Sequence, residues 1–285
     1  MGRQILLMLL TCVFSAQVLS QTTGPERGSR VIVGGGMQDL QILQRFAELA
    51  GGLDEPIVVI PTAGGGDSYD QYWPGLNQFK AAGLTDVTLI HTYDRGIADT
   101  AGFAAPIREA RGVWLTGGRQ WRLADSYLHT QVHEALIDLL ARDGVIGGSS
   151  AGATILGSYL ARGDSSGNTI MMGDHEEGFG FIQNIAIDQH MLRRNRQFDL
   201  LEIVEAKPEL LGVGLDEDTA IIIRGNRFEV IGQSYIAIFD HSHKLDSGGR
   251  FYFLEPGDQF DMLQRQAYRP QTTLQPLERV VEHNW

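Results

Sequence analysis

Gly148-Ser149-Ser150-Ala151-Gly152 is a G-x-S-x-G pentapeptide set between two apolar runs. Such spacing marks a nucleophile elbow, a sharp strand-to-helix turn that lifts a serine hydroxyl clear of a sheet. Upstream, Gly144-Val145-Ile146-Gly147 reads as a short buried strand. Downstream, Ala151 to Leu156 is small and then apolar, as a helix packed beneath a sheet must be. The small residues allow a strained turn and leave the amide of Ala151 free to face an oxyanion. The chemistry indicated is attack by Ser150 on a carbonyl carbon. In a chain with 35 glycines, a bare G-x-S-x-G also arises as a simple reversal of direction, so a base and an orienting carboxylate are needed as well.

Of the eight histidines, His190 has the most suitable setting. It follows the strand-like run Asn184-Ile185-Ala186-Ile187 and precedes the basic cluster Arg193, Arg194, Arg196, which reads as the opening of a helix. That places it at the carboxyl rim of a sheet, where the elbow also ends. A second apolar run, Leu211 to Leu215, leads into Asp216-Glu217-Asp218, and one of these three acids could point back toward an imidazole. Positive charge is unfavourable at a helix N-terminus, which argues that the arginines serve a ligand.

Gly-x-Ser-Ala-Gly-Ala, then Asp188-Gln189-His190 with spaced arginines, then Gly214-Leu215-Asp216-Glu217-Asp218-Thr219-Ala220 together resemble the cyanophycinases and the related aspartyl dipeptidases of the peptidase E type. The likeness covers nearly all of the chain after residue 28, beginning at Val31-Ile32-Val33-Gly34-Gly35-Gly36. It implies a serine exopeptidase on a class I glutamine-amidotransferase-like fold, with Ser150 as nucleophile, His190 as base and Glu217 as orienting acid. It also implies a second oxyanion donor at Gly118, beside that of Ala151, and substrate contacts from Gln120, Asp188 and Gln189. A tendency to form homodimers comes with the same resemblance. The order Ser, His, acid differs from the Ser, acid, His of α/β-hydrolases. Serine stands at the elbow where glutamine amidotransferases carry cysteine, and the sole cysteine, Cys12, lies far from it.

The implied substrate is cyanophycin or a related β-aspartyl peptide. A β-aspartyl-arginine unit carries a free carboxylate, for which Arg194 and Arg196 are natural partners. Two positions depart from the pattern: Asp199 stands where a further arginine is expected, and Arg119 where many cyanophycinases have aspartate. The alternatives are a peptidase of the same fold for other aspartyl dipeptides, or a non-catalytic binding module on this scaffold. No His/Cys/acid cluster has metal-ligand spacing, and neither metal nor cofactor is expected.

These residues require a sheet to hold them. Apolar runs at 31–33, 57–60, 87–90, 113–115 and 145–146 alternate with helical patterns. The expected fold is α/β: a mostly parallel sheet with helices on both faces and the elbow after a central strand. Beyond Thr169 the pattern becomes strand-rich, and these strands are expected to extend the sheet and add a hairpin turning at Gly225-Asn226. Gly34-Gly35-Gly36 lacks the G-x-G-x-x-G fingerprint, so a dinucleotide site is disfavoured. Residues 28–285 read as one catalytic domain.

Residues 1–20 read as a secretory signal peptide with cleavage near Ser20/Gln21, giving a secreted or periplasmic protein. Cys12 would leave with that segment, and the mature chain would have no disulfide. A formal net charge of −12 argues against nucleic acid as a partner, and nothing polybasic suggests a membrane once the signal is removed.

Overall fold

The computed structural model describes residues 21–270 except Thr22, Pro25, Lys244, Asp246 and Ser247. The signal segment and Cys12 lie outside the described residues.

The apolar runs become strands, buried on both faces except for the half-exposed edge strand β3 (Val87–Leu89). They are β1 (Ser29–Val33), β2 (Ile57–Ile60), β3 (Val87–Leu89), β4 (Gly112–Leu115) and β5 (Val145–Ser149). All five run parallel in the order β1-β5-β4-β2-β3. Between them lie α1 (Leu40–Ala50), α2 (Asn77–Ala81), α3 (Arg95–Ala98), α4 (Ala101–Glu109), α5 (Gln120–Tyr127) and α6 (Gln131–Ala141). Alternation along β1 divides the core in two. Val31 and Val33 pack with Ile42, Leu43 and Phe46 of α1, whereas Ile32 shares the opposite core with Ile107 of α4 and Leu136 of α6. Each such side chain, fully buried, stabilises the fold by about 1.5–3 kcal/mol.

After β5 come α7 (Ala151–Thr154), β6 (Gly157–Tyr159), β7 (Ile182–Asp188), α8 (Leu200–Ala206), β8 (Leu211–Leu215), β9 (Thr219–Arg224), β10 (Arg227–Gly232), β11 (Ile236–Asp240), β12 (Tyr252–Leu254), β13 (Gln259–Asp261) and β14 (Gln266–Tyr268). The expected hairpin forms: β9 and β10 pair antiparallel, with Arg224 opposite Arg227 around Gly225-Asn226. This hairpin, β13 and β14 extend the first sheet beyond β1 to nine strands.

The other late strands do not extend that sheet. They form a second one of five strands, β12-β11-β8-β7-β6, in which β6, β7 and β8 are parallel. Ile185, Ile187, Val213 and Leu215 face the same core as Ile32 and Ile146, so the second sheet packs over the first, and α8 covers its outer face. The helix expected to open at Arg193 also begins later, at Leu200. Asp216 Oδ1 accepts the N–H groups of Leu192 and Arg193 at 3.0 and 2.8 Å and holds residues 191–199 as turns. Arg193, Arg194 and Arg196 therefore do not open a helix, and no helix N-terminus sets their charge against them.

Candidate active site

Parallel pairing sets Val33 of β1 opposite Ser149 of β5, so both strands end at one rim. Ser150 follows at once, with φ 56° and ψ −116°, a conformation that a non-glycine residue holds only under strong local constraint. Its N–H donates to Val33 O at 3.0 Å, and its C=O accepts from Ala153 and Thr154 at 2.9 and 3.0 Å. The flanking glycines are required by close approach. A β-carbon on Gly148 would stand 2.1 Å from Gly152 O, and one on Gly152 would stand 2.1 Å from Leu115 O. The pentapeptide is therefore a packed strand-to-helix turn.

His190 arrives from β7 and Glu217 from β8, adjacent parallel strands of the second sheet. Ser150 Oγ lies 2.8 Å from His190 Nε2, and His190 Nδ1 lies 2.7 Å from Glu217 Oε1. His190 is 6% exposed. Burial lowers its pKa; the Glu217 hydrogen bond pulls the other way, and the positive charges of Arg194 and Arg196 add to the lowering. The imidazole is thus held neutral near pH 7, the form able to accept a hydroxyl proton.

The three consecutive acids divide their work. Asp216 ties the turn after His190 as above, its other oxygen accepting from Ser234 Oγ at 2.7 Å. Asp218 Oδ1 accepts from the N–H groups of Gln38 and Asp39, both at 2.8 Å. Glu217 alone of the three reaches the imidazole.

The loop Gly34-Gly35-Gly36 has a role that its sequence did not disclose. Gly34 O accepts from His190 N at 2.9 Å, and Gly35 O accepts from Asp218 N at 2.9 Å. A β-carbon on Gly35 would lie 2.2 Å from His190 Cε1, and one on Gly36 2.4 Å from Glu217 Oε2. These glycines clear the floor on which the imidazole and carboxylate rest.

The loop that carries Gly117 and Gly118 lies beside Ser150. A β-carbon on Gly117 would be 3.2 Å from Ser150 Cβ, and Gly118 follows with φ 144°, where a β-carbon would stand 2.0 Å from Ala63 O. Among the described residues, no protein acceptor takes the N–H of Gly118 or of Ala151. Both are free to donate.

The residues expected to touch substrate fare differently. Arg194 is exposed. Arg196 is buried and donates to Gln189 O and Oε1 at 3.3 and 3.0 Å, so these two residues brace each other. Gln120 is 1% exposed and its Nε2 donates to Ala161 O and Arg162 O at 2.7 and 2.8 Å, which makes its amide a tether between chain segments. Asp188 is also 1% exposed, and both of its oxygens are taken by Arg162, at 2.7 and 2.9 Å. Both Asp188 oxygens and the Gln120 amide nitrogen are thus committed to internal partners. Asp199 also pairs with Arg162. Arg119 donates to Asp164 O at 3.0 Å. Arg162 was missed by sequence reasoning, since an arginine within an irregular polar stretch carries no local signal of a partner 26 residues away.

An elbow serine, a buried imidazole and a carboxylate in hydrogen-bond contact on an α/β sheet make an arrangement able to activate a hydroxyl for hydrolysis. The model of peptidase family S51 matches residues 31–231. The chain is 33% identical over 225 residues to the cyanophycinase of Geminocystis herdmanii, covering 74% of this chain and 80% of that protein. It is 31% identical over 278 residues to the cyanophycinase of Trichormus variabilis, covering 88% and 91%. Two solved structures share the fold. A peptidase from an acI-B1 Actinobacterium superposes with TM-score 0.63 at 23% identity, over 85% of this chain and 98% of that one. A putative peptidase E from Listeria monocytogenes gives TM-score 0.55 at 18% identity, over 73% and 100%. The chain belongs to peptidase family S51, and it is a peptidase.

Proposed function

We propose that this protein is a serine-type exopeptidase that hydrolyses β-aspartyl peptides, cyanophycin among them, with Ser150, His190 and Glu217 as its catalytic triad. The observation that carries the reading is the unbroken contact from Ser150 Oγ through the imidazole to Glu217 Oε1, at 2.8 and 2.7 Å. His190 takes the hydroxyl proton as Oγ attacks the peptide carbonyl. The N–H groups of Gly118 and Ala151 receive the developing oxyanion, and the protonated imidazole then gives its proton to the leaving amine. Water, deprotonated by the same imidazole, releases the acyl group and frees Ser150. Glu217 orients the ring and stabilises the imidazolium. Arg194, exposed beside His190, is suited to a substrate carboxylate.

The substrate class is supported by likeness to cyanophycinases at 31–33% identity. A second reading, other aspartyl dipeptides, is favoured by one observation: Asp188 and Asp199 already hold Arg162, which leaves fewer acceptors for an arginyl side chain. Comparing kcat/KM for β-Asp-Arg, α-Asp dipeptides and an uncharged activated ester separates the readings. Preference for β-Asp-Arg supports the first and preference for an α-Asp dipeptide the second. Turnover of the ester alone would leave only a serine hydrolase. Export as a secreted or periplasmic protein is proposed on the sequence of residues 1–20 alone, and N-terminal sequencing of the mature protein tests it.

A further inference from the structure

Arg162 is 1% exposed and holds φ 56°, a left-handed conformation that costs a non-glycine residue on the order of 1–3 kcal/mol unless its surroundings enforce it. The surroundings do. Its N–H donates to Met171 O at 3.0 Å, and its C=O accepts from Gln120 Nε2 at 2.8 Å. Its guanidinium forms a two-pronged pair with Asp188, pairs again with Asp199, and donates from Nη1 to Asn168 O at 2.9 Å. Burial alone would lower the pKa of this arginine, but the hydrogen bonds and charges of Asp188 and Asp199 more than offset that and raise it. A permanently charged group is thus fixed inside the protein, with each prong committed.

What it joins is informative. Asp188 ends β7 two residues before His190, and Asp199 closes the turn that follows His190 and precedes α8. Gln120, on the other side, is the first residue of α5 and directly follows the loop 117–119 beside Ser150. Arg119 adds a second tie to this segment through Asp164 O. One buried arginine therefore lies between the two ends of the base-bearing turn and the helix that carries the oxyanion loop.

We propose that Arg162 is a positioning residue, its guanidinium shared by Asp188 and Asp199 so that the turn bearing His190 is set in register with the oxyanion loop at Gly118. The inference rests on the serine-peptidase reading above. Arg162 itself touches none of the reacting atoms. A displacement of about 1 Å between base and oxyanion donors costs up to ~10²-fold in rate, while overall packing changes little. Lysine keeps the charge at position 162 but not the planar fork that both carboxylates use.

The test measures the second-order rate of Ser150 labelling by a fluorophosphonate across pH 5–9, per folded molecule, with the melting temperature recorded alongside. This probe needs the nucleophile, base and oxyanion hole but no peptide subsite. For Arg162→Lys the labelling rate falls about 10- to 100-fold and its pH midpoint moves. For Asp199→Asn, which removes one prong at a partly exposed residue, the fall is smaller but in the same direction. Should Arg162→Lys fail to fold, Asp199→Asn decides. Wild-type labelling rate and pH midpoint in folded variants, with only the melting temperature lowered, would overturn the proposal and leave Arg162 a purely structural ion pair. Absence of labelling in the wild type would instead remove the serine-peptidase reading, and this inference with it.

Discussion

Gly35 lies so close beneath the imidazole of His190 that a β-carbon there would stand 2.2 Å from Cε1 and 2.8 Å from both ring nitrogens. The ring has nowhere to retreat, since Ser150 and Glu217 hold its two nitrogens at 2.8 and 2.7 Å. With φ at 118°, Gly35 is also in a backbone region that side chains rarely enter. Gly35→Ala is therefore expected to cut kcat by about 10²-fold or more, because the base is pushed out of line. Steady-state kinetics check this. Unchanged kcat in a folded variant would mean that the imidazole does not occupy this position during turnover.

The three acids after β8 should separate by assay. Glu217→Gln is expected to lose at least about 10²-fold in kcat/KM with little change in melting temperature, since it removes the partner of His190 Nδ1. Asp216→Asn and Asp218→Asn are expected to act mainly on stability, because their carboxylates hold backbone N–H groups at 192–193 and 38–39. Paired kinetic and thermal measurements distinguish them, and equal kinetic losses at all three would contradict this division.

Legibility in the sequence followed locality. The elbow, the alternation of strands and helices and the Gly225-Asn226 hairpin are encoded by neighbouring residues, and all three appear where their patterns placed them. The division into two sheets was not legible, because a strand pattern at 185–187 or 211–215 gives the pairing edge but not the partner. The same holds for the segment after His190, where a basic run read as a helix start is captured instead by Asp216, 24 residues from Leu192. Asp188 read as part of a recognition motif; only the structure placed its buried countercharge, Arg162, opposite it.

Asp199 offers a test of substrate choice that differs from the one its sequence position suggests. An arginine there would face the Arg162 guanidinium in place of the carboxylate that now binds it. Asp199→Arg is expected to lower the melting temperature by about 4 °C or more and to reduce hydrolysis of β-Asp-Arg. Calorimetry and turnover of that dipeptide check both parts. A gain in activity at unchanged stability would contradict the pairing.

The pH dependence has a definite sign. As the proposed base, His190 acts only when neutral, and its pKa is lowered from the ordinary value of 6.5, chiefly by burial. The acid limb of kcat/KM should therefore have its midpoint below 6.5. Arg194→Ala removes a positive charge that disfavours the imidazolium, so the pKa rises and the limb moves to higher pH. Glu217→Gln removes a favourable partner of the imidazolium, and the limb of its residual activity moves to lower pH. A profile for Arg194→Ala shifted downward would contradict the assigned electrostatics.

The most direct test compares kcat/KM for β-Asp-Arg hydrolysis between the wild type and Ser150→Ala. The substitution removes one hydroxyl from a turn whose backbone is fixed by Val33, Ala153 and Thr154, so the fold should remain intact by circular dichroism. The wild type is expected to cleave the dipeptide and the variant to lose at least about 10⁴-fold. A folded Ser150→Ala protein that cleaves within tenfold of the wild type would show that Ser150 is not the nucleophile.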